Sequence, residues 1–107
     1  MANIASRGTT PTVAVEVDQD LSEFDVYATI SQGAHIVTHN KDVECTPIKT
    51  GCMVYFTLTQ EETLEFSAGR AHIQIRAVNT EDVCVATTIC EVYINDVLLD
   101  GVIPQVV

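Results

Sequence analysis

The chain has no tryptophan, three prolines, and only five lysines and arginines against fifteen aspartates and glutamates in 107 residues. Each shortage excludes something. Phosphate backbones and anionic membranes are held by clustered Lys and Arg, so a formal charge of −10 removes nucleic acid and membrane from the expected partners. The charge identifies nothing positively, because an acidic surface also keeps a protein soluble. Sugar-binding faces stack exposed aromatic rings on the ligand, and without Trp only Tyr27, Tyr55 and Tyr93 remain for that role. No stretch approaches the roughly 20 apolar residues of a membrane-spanning helix. Met1 to Ser6 lacks the apolar core of a signal peptide. The expected place of synthesis is therefore a cytosol, where thiols stay reduced. The four cysteines at 45, 52, 84 and 90 are expected to form no disulfide, with Cys52, Cys84 and Cys90 acting as small hydrophobes in apolar runs.

Chemistry-bearing motifs are missing as well. There is no Gly-rich phosphate loop, no HExxH and no GxSxG elbow, and the serines at 6, 22, 31 and 67 sit in polar or turn settings. The order His35, His39, Cys45, Cys52 offers four soft ligands. Structural zinc sites use closer cysteine pairs, and residues four apart in a strand lie about 13 Å apart, so no zinc site is expected. Glu61 and Glu62 are adjacent carboxylates, but at the start of a helical turn acids serve the helix dipole and its cap. The reading is a protein that is not an enzyme and carries no cofactor or metal.

What is present is alternation. The organising stretch is Leu58 to Val78, LTQEETLEFSAGRAHIQIRAV. Before it, Cys52, Val54, Phe56 and Leu58 share one face of a strand; after it, Ala71, Ile73, Ile75 and Ala77 share one face of another. Between them Thr59-Gln60-Glu61-Glu62 fits a capping box, with Thr59 and Glu62 as its structural cap. A turn or two of helix follows, then a corner at Gly69. Strand, helical turn, corner, strand is how two sheets of a sandwich are joined. Leu64 and Phe66 are the expected plugs of that end of the core.

The other segments follow in order. Val13, Val15 and Val17 make one strand, Val26, Ala28 and Ile30 another, and His35 to His39 a third. A short strand lies around Val43 to Cys45, with Pro47 confining its surroundings to a sheet edge. Asn79 to Asp82 forms a hairpin turn. From Val83 to Ile94 the inward phase switches between Ile89 and Cys90, which implies a bulge or a crossing between sheets. Val97 to Leu99 with Gly101 is a short closing segment. About seven strands with turns every 8 to 12 residues mark an all-β sandwich with one short helical turn. At this length one domain is expected, burying roughly two-thirds of its unfolded surface. Its parts are a flexible N-terminal arm (1–11), the sandwich (12–101) and an apolar C-terminal tail (102–107).

Five motifs in this order, RGTTPT from Arg7, LTQEETL from Leu58, IQIRA from Ile73, ATTI from Ala86 and DVLLDGVI from Asp96, resemble a family of small structural proteins of tailed phages and prophages of Gram-positive gut bacteria. The resemblance covers nearly the whole chain, and that family is similar in turn to the immunoglobulin-like N-terminal domain of phage baseplate upper proteins. It departs from the family in its four cysteines and in lacking an Asp-Gly turn before the last long strand. The resemblance implies a virion structural protein made in the bacterial host cytoplasm, with subunit contacts in the tail, baseplate or neck. Head decoration is the alternative within that role. Other phage structural proteins, and copies of itself in a symmetric assembly, are the implied partners. The candidate contact residues are Arg7, Gly8, Thr9, Thr10, Pro11 and Thr12 in the arm, and Val97, Leu98, Leu99, Val102 and Ile103 near the tail. A free module binding a host protein or glycan, or a zinc-stabilised regulatory domain, are the competing readings.

Overall fold

The computed structural model describes residues 3–87, 89–104 and 106, with the main chain alone at 3 and 4. Thr88 of the ATTI motif, Gln105 and Val107 of the tail, and Met1 and Ala2 of the arm lie outside the described residues. The fold is an all-β sandwich with one short helix. The larger sheet has the order β1 (Asn3–Ser6), β9 (Cys90–Asn95), β7 (Gly69–Val78), β3 (Asp25–Gln32), β4 (His35–His39), and β8 (Cys84–Ala86) also pairs with β7. The smaller sheet runs β2 (Thr12–Val17), β6 (Gly51–Thr57), β5 (Glu44–Ile48).

The period-2 faces close on one core. Val13, Val15 and Val17 of β2 and Cys52, Val54 and Phe56 of β6 point at Val26, Ala28 and Ile30 of β3 and at Ala71, Ile73, Ile75 and Ala77 of β7. The helix α1 (Gln60–Leu64) crosses from β6 in the small sheet to β7 in the large one, as the central stretch implies. Pro47 lies in β5, an edge strand, where its missing N–H costs no ladder bond.

Nine strands are described where the pattern gives about seven. The long run divides in two, and the cause is a bulge rather than a sheet crossing. β8 and β9 both pair with β7, but Arg76 stands opposite Ala86 and Ile73 opposite Cys90. Chain positions 86 to 90 therefore span one residue more than 73 to 76. Thr87 bridges the gap, its Oγ1 accepting the Ile75 N–H at 3.1 Å and its own N–H donating to Ile75 O at 2.9 Å.

The extra strand is a correction to the flexible arm. Asn3–Ser6 pairs parallel with β9, and Ala5 belongs to the buried core. Four residues are too few to show a period, and their partner lies at the far end of the chain. Two smaller corrections follow. Within the helical turn the residue that faces inward is Thr63, fully buried, while Leu64 is half-exposed; Phe66 is buried as the plug. The Thr63 hydroxyl lies within hydrogen-bonding reach of Thr9 O at 2.9 Å and Gln60 O at 3.1 Å, so its burial leaves no bare polar atom. Cys84 is exposed, because β8 is short and its inward residue is Val85. The segment from Val97 to Gly101 has no strand geometry.

Candidate functional site

The two segments expected to touch neighbours, 7–12 and 97–107, meet beside α1 at Gly8 to Thr10, Val97, Ile103 and Pro104. Gly8, Thr9, Thr10, Gln60, Ile103 and Pro104 line one shallow depression. A methyl group at Gly8 would stand 3.4 Å from Leu64 Cδ2 and 3.8 Å from Val97 Cγ1, so this glycine is where the N-terminal segment passes close over both.

Arg7 is engaged within the chain by four hydrogen bonds. Its Nε donates to Phe66 O at 2.6 Å and its Nη2 to Leu64 O at 2.9 Å, the latter a carbonyl that the end of α1 leaves open. The same guanidinium bridges to Asp96 Oδ1 at 2.9 Å and Asp100 Oδ1 at 3.2 Å. The hydrogen bond it donates to Asp96 holds the Arg7 pKa above its ordinary value, and Asp96 in turn is held low by the Val97 N–H and then by Arg7. The fork of five donors suits four acceptors on different segments. Thr9, Pro11 and Thr12 are also engaged at home: Thr9 Oγ1 donates to Ser6 O, Pro11 O accepts the Leu58 N–H, and the Thr12 and Thr57 hydroxyls are 2.9 Å apart.

The segment from 97 differs in kind. It is anchored by Arg7, which binds the Asp96 and Asp100 carboxylates, and by Gln60, whose side-chain amide bonds both main-chain polar groups of Ile103. Its large apolar side chains are left outside. Leu98 and Val106 are fully exposed, and Leu99, Val102 and Ile103 are each more than half exposed. Val97 alone among the tail candidates is half-buried.

At the other end of α1 both arms of the capping box are made. Thr59 Oγ1 accepts the Glu62 N–H at 3.1 Å, and Glu62 Oε1 accepts the Thr59 N–H at 2.9 Å. Glu62 has a second partner that no local pattern announces. His39, buried at the end of β4, faces Glu62 with Nε2 and Asp42 with Nδ1, and its ring lies over Phe56. The other histidine of the zinc-ordered series, His35, sets its ring edge on Phe66 at 4.6 Å. Among the described residues no group of three His, Cys, Asp or Glu side chains is placed to hold a metal ion, and no helix is long and apolar enough to cross a membrane.

The tyrosines do not gather. Tyr27 stands opposite Arg76 and Tyr93 opposite Arg70, six residues apart along β7, or about 20 Å at strand spacing. Tyr55 is half-buried in the other sheet. No family model matches the chain, and no curated protein matches it.

Proposed function

We propose that this chain is a non-enzymatic structural protein of a tailed-phage virion, an immunoglobulin-like sandwich that makes subunit contacts in the tail, baseplate or neck. The observation that carries the reading is that five large apolar side chains, Leu98, Leu99, Val102, Ile103 and Val106, face solvent while Gln60 holds the main chain at Ile103. Burying one such side chain is worth about 1.5–3 kcal/mol. A neighbour that covers several of them gains that energy without first having to order the segment, because Gln60 and Arg7 already hold it. The resemblance in the five sequence motifs supplies the biological setting. The contact surface is assigned to Leu98, Leu99, Val102 and Ile103, with Arg7 to Thr12 as the bed on which that segment rests. The partners are other virion proteins and, in a closed ring, further copies of this chain.

The test is peptide mass spectrometry with copy counting on purified particles of the encoding phage, heads and tails separated. A fixed ratio to the tail proteins is the expected result. A fixed ratio to the head proteins makes it a decoration protein. Absence from the particle overturns the structural reading in favour of a free module that binds a host protein or glycan. Loss of the protein from particles carrying Leu98→Ser with Leu99→Ser, while the variant stays folded, assigns the contact to this segment.

A further inference from the structure

His39 is 9% exposed and has a carboxylate at each ring nitrogen. Asp42 Oδ2 lies 2.6 Å from Nδ1, and both Glu62 carboxylate oxygens lie 3.0 Å from Nε2. A neutral imidazole has one N–H and one lone pair, so it would turn a lone pair toward one of these two anions. Only the imidazolium donates to both. Among the described residues these are the charged groups in contact with His39: Asp42 comes from the turn after β4 and Glu62 from α1. β6 presents the Phe56 ring, 5.7 Å away, and the β3 residue paired with His39 is Ala28.

What His39 holds is the hub of both terminal segments. α1 bears Gln60, which grips Ile103; Thr63, whose hydroxyl meets Thr9 O; and Leu64, whose carbonyl accepts from Arg7. Glu62 also completes the cap of that same helix. A five-residue helix has little stability of its own and takes its order from such tertiary ties.

We propose that His39, Asp42 and Glu62 form a proton-operated clasp, in which the imidazolium pins α1 to the sandwich and loss of its proton loosens α1 together with the segments around Ile103 and Thr9. On opening, the proton on Nε2 passes to solvent, Nδ1–H stays on Asp42, and Glu62 is left facing a lone pair. Burial by itself would lower the pKa of His39. The hydrogen bonds to Asp42 and Glu62 outweigh it and raise the group above its ordinary 6.5. The clasp is therefore closed below pH 6.5 and opens as pH rises through the raised value. This property belongs to the isolated chain and holds whichever partner meets the tail.

The experiment is an NMR titration of the full chain from pH 5.5 to 8.5, following the ring nitrogens of His39, the amide of Ile103 and the side-chain amide of Gln60. Both ring nitrogens are expected in their protonated range at pH 6, with a midpoint above 6.5. The Ile103 order parameter is expected to fall through the same midpoint, from about 0.85 toward about 0.6. Asp42→Asn, at an exposed position, should lower the midpoint and carry the Ile103 transition down with it. His39→Gln should leave Ile103 with no transition in this range. A His39 midpoint at or below 6.5, or an Ile103 signal that ignores the His39 titration, overturns the proposal. If His39→Gln does not fold, the comparison of the parent chain with Asp42→Asn decides.

Discussion

Gln60 answers both main-chain polar groups of Ile103: its Nε2–H donates to the carbonyl at 3.2 Å and its Oε1 accepts from the N–H at 2.9 Å. A side-chain amide thereby does for this segment what a neighbouring strand does in a ladder. The arrangement separates order from stability, since both bonds are open to water. Gln60→Ala should change the unfolding free energy by less than about 1 kcal/mol while lowering the Ile103 order parameter. Urea unfolding and relaxation measurements on the same sample read the two effects apart.

Arg7 addresses two carbonyls and two carboxylates at once, and an ammonium group cannot reproduce that fork. Arg7→Lys should keep the charge but lower the thermal midpoint, and Arg7→Ala should lower it further. Added salt should weaken the parent chain only slightly, because the carbonyl bonds do not depend on free charge. A lysine variant as stable as the parent would show that the ion pairs alone matter.

Gly51 opens β6 at φ +153°, where a methyl group would stand 1.9 Å from Val17 O and 2.6 Å from Gln19 N. Backbone atoms cannot yield as a flexible side chain can. Gly51→Ala should therefore cost more than the roughly 1 kcal/mol typical of point substitutions, by forcing apart the start of β6 and the end of β2. Loss of the Val17 to Cys52 cross-strand contact in an NOE spectrum would accompany it.

The stability of the chain should depend on pH on both sides of a plateau. The hydrogen bond from His39 holds the Asp42 carboxyl below its ordinary 3.8, so that contribution is present above pH 3.8 and is lost as pH falls through the depressed value. The raised His39 contributes below pH 6.5 and is lost as pH rises through its folded value. Urea midpoints measured from pH 3 to 9 should be highest between about 4 and 6.5. Glu62→Gln keeps a side chain able to cap α1 but removes one anion from His39, so the loss on the alkaline side should begin at lower pH.

What the sequence makes legible is local. Valines at 13, 15 and 17 and the series Ala71, Ile73, Ile75, Ala77 show their faces because a strand repeats every two residues. The box of Thr59 and Glu62 shows because both partners lie within four residues. The phase switch between Ile89 and Cys90 marks the bulge beside Thr87 for the same reason. The tertiary meetings leave no such trace. His39 and Glu62 are 23 residues apart, Gln60 and Ile103 are 43, and Arg7 and Asp96 are 89. Nothing in Asn3–Ser6 states that its partner is β9. Thr63 was hidden by its own chemistry: a hydroxyl looks like surface until Thr9 O and Gln60 O are seen beside it.

The pairing of β1 with β9 also sets a schedule. A ribosome delivers Asn3–Ser6 early, yet the edge it needs exists only after Asn95 has emerged and β9 has settled on β7. The earliest of the described strands to be made is thus among the last to dock, and closing so long a loop is slow. Until then the strand and Ala5 remain open to other chains being synthesised nearby.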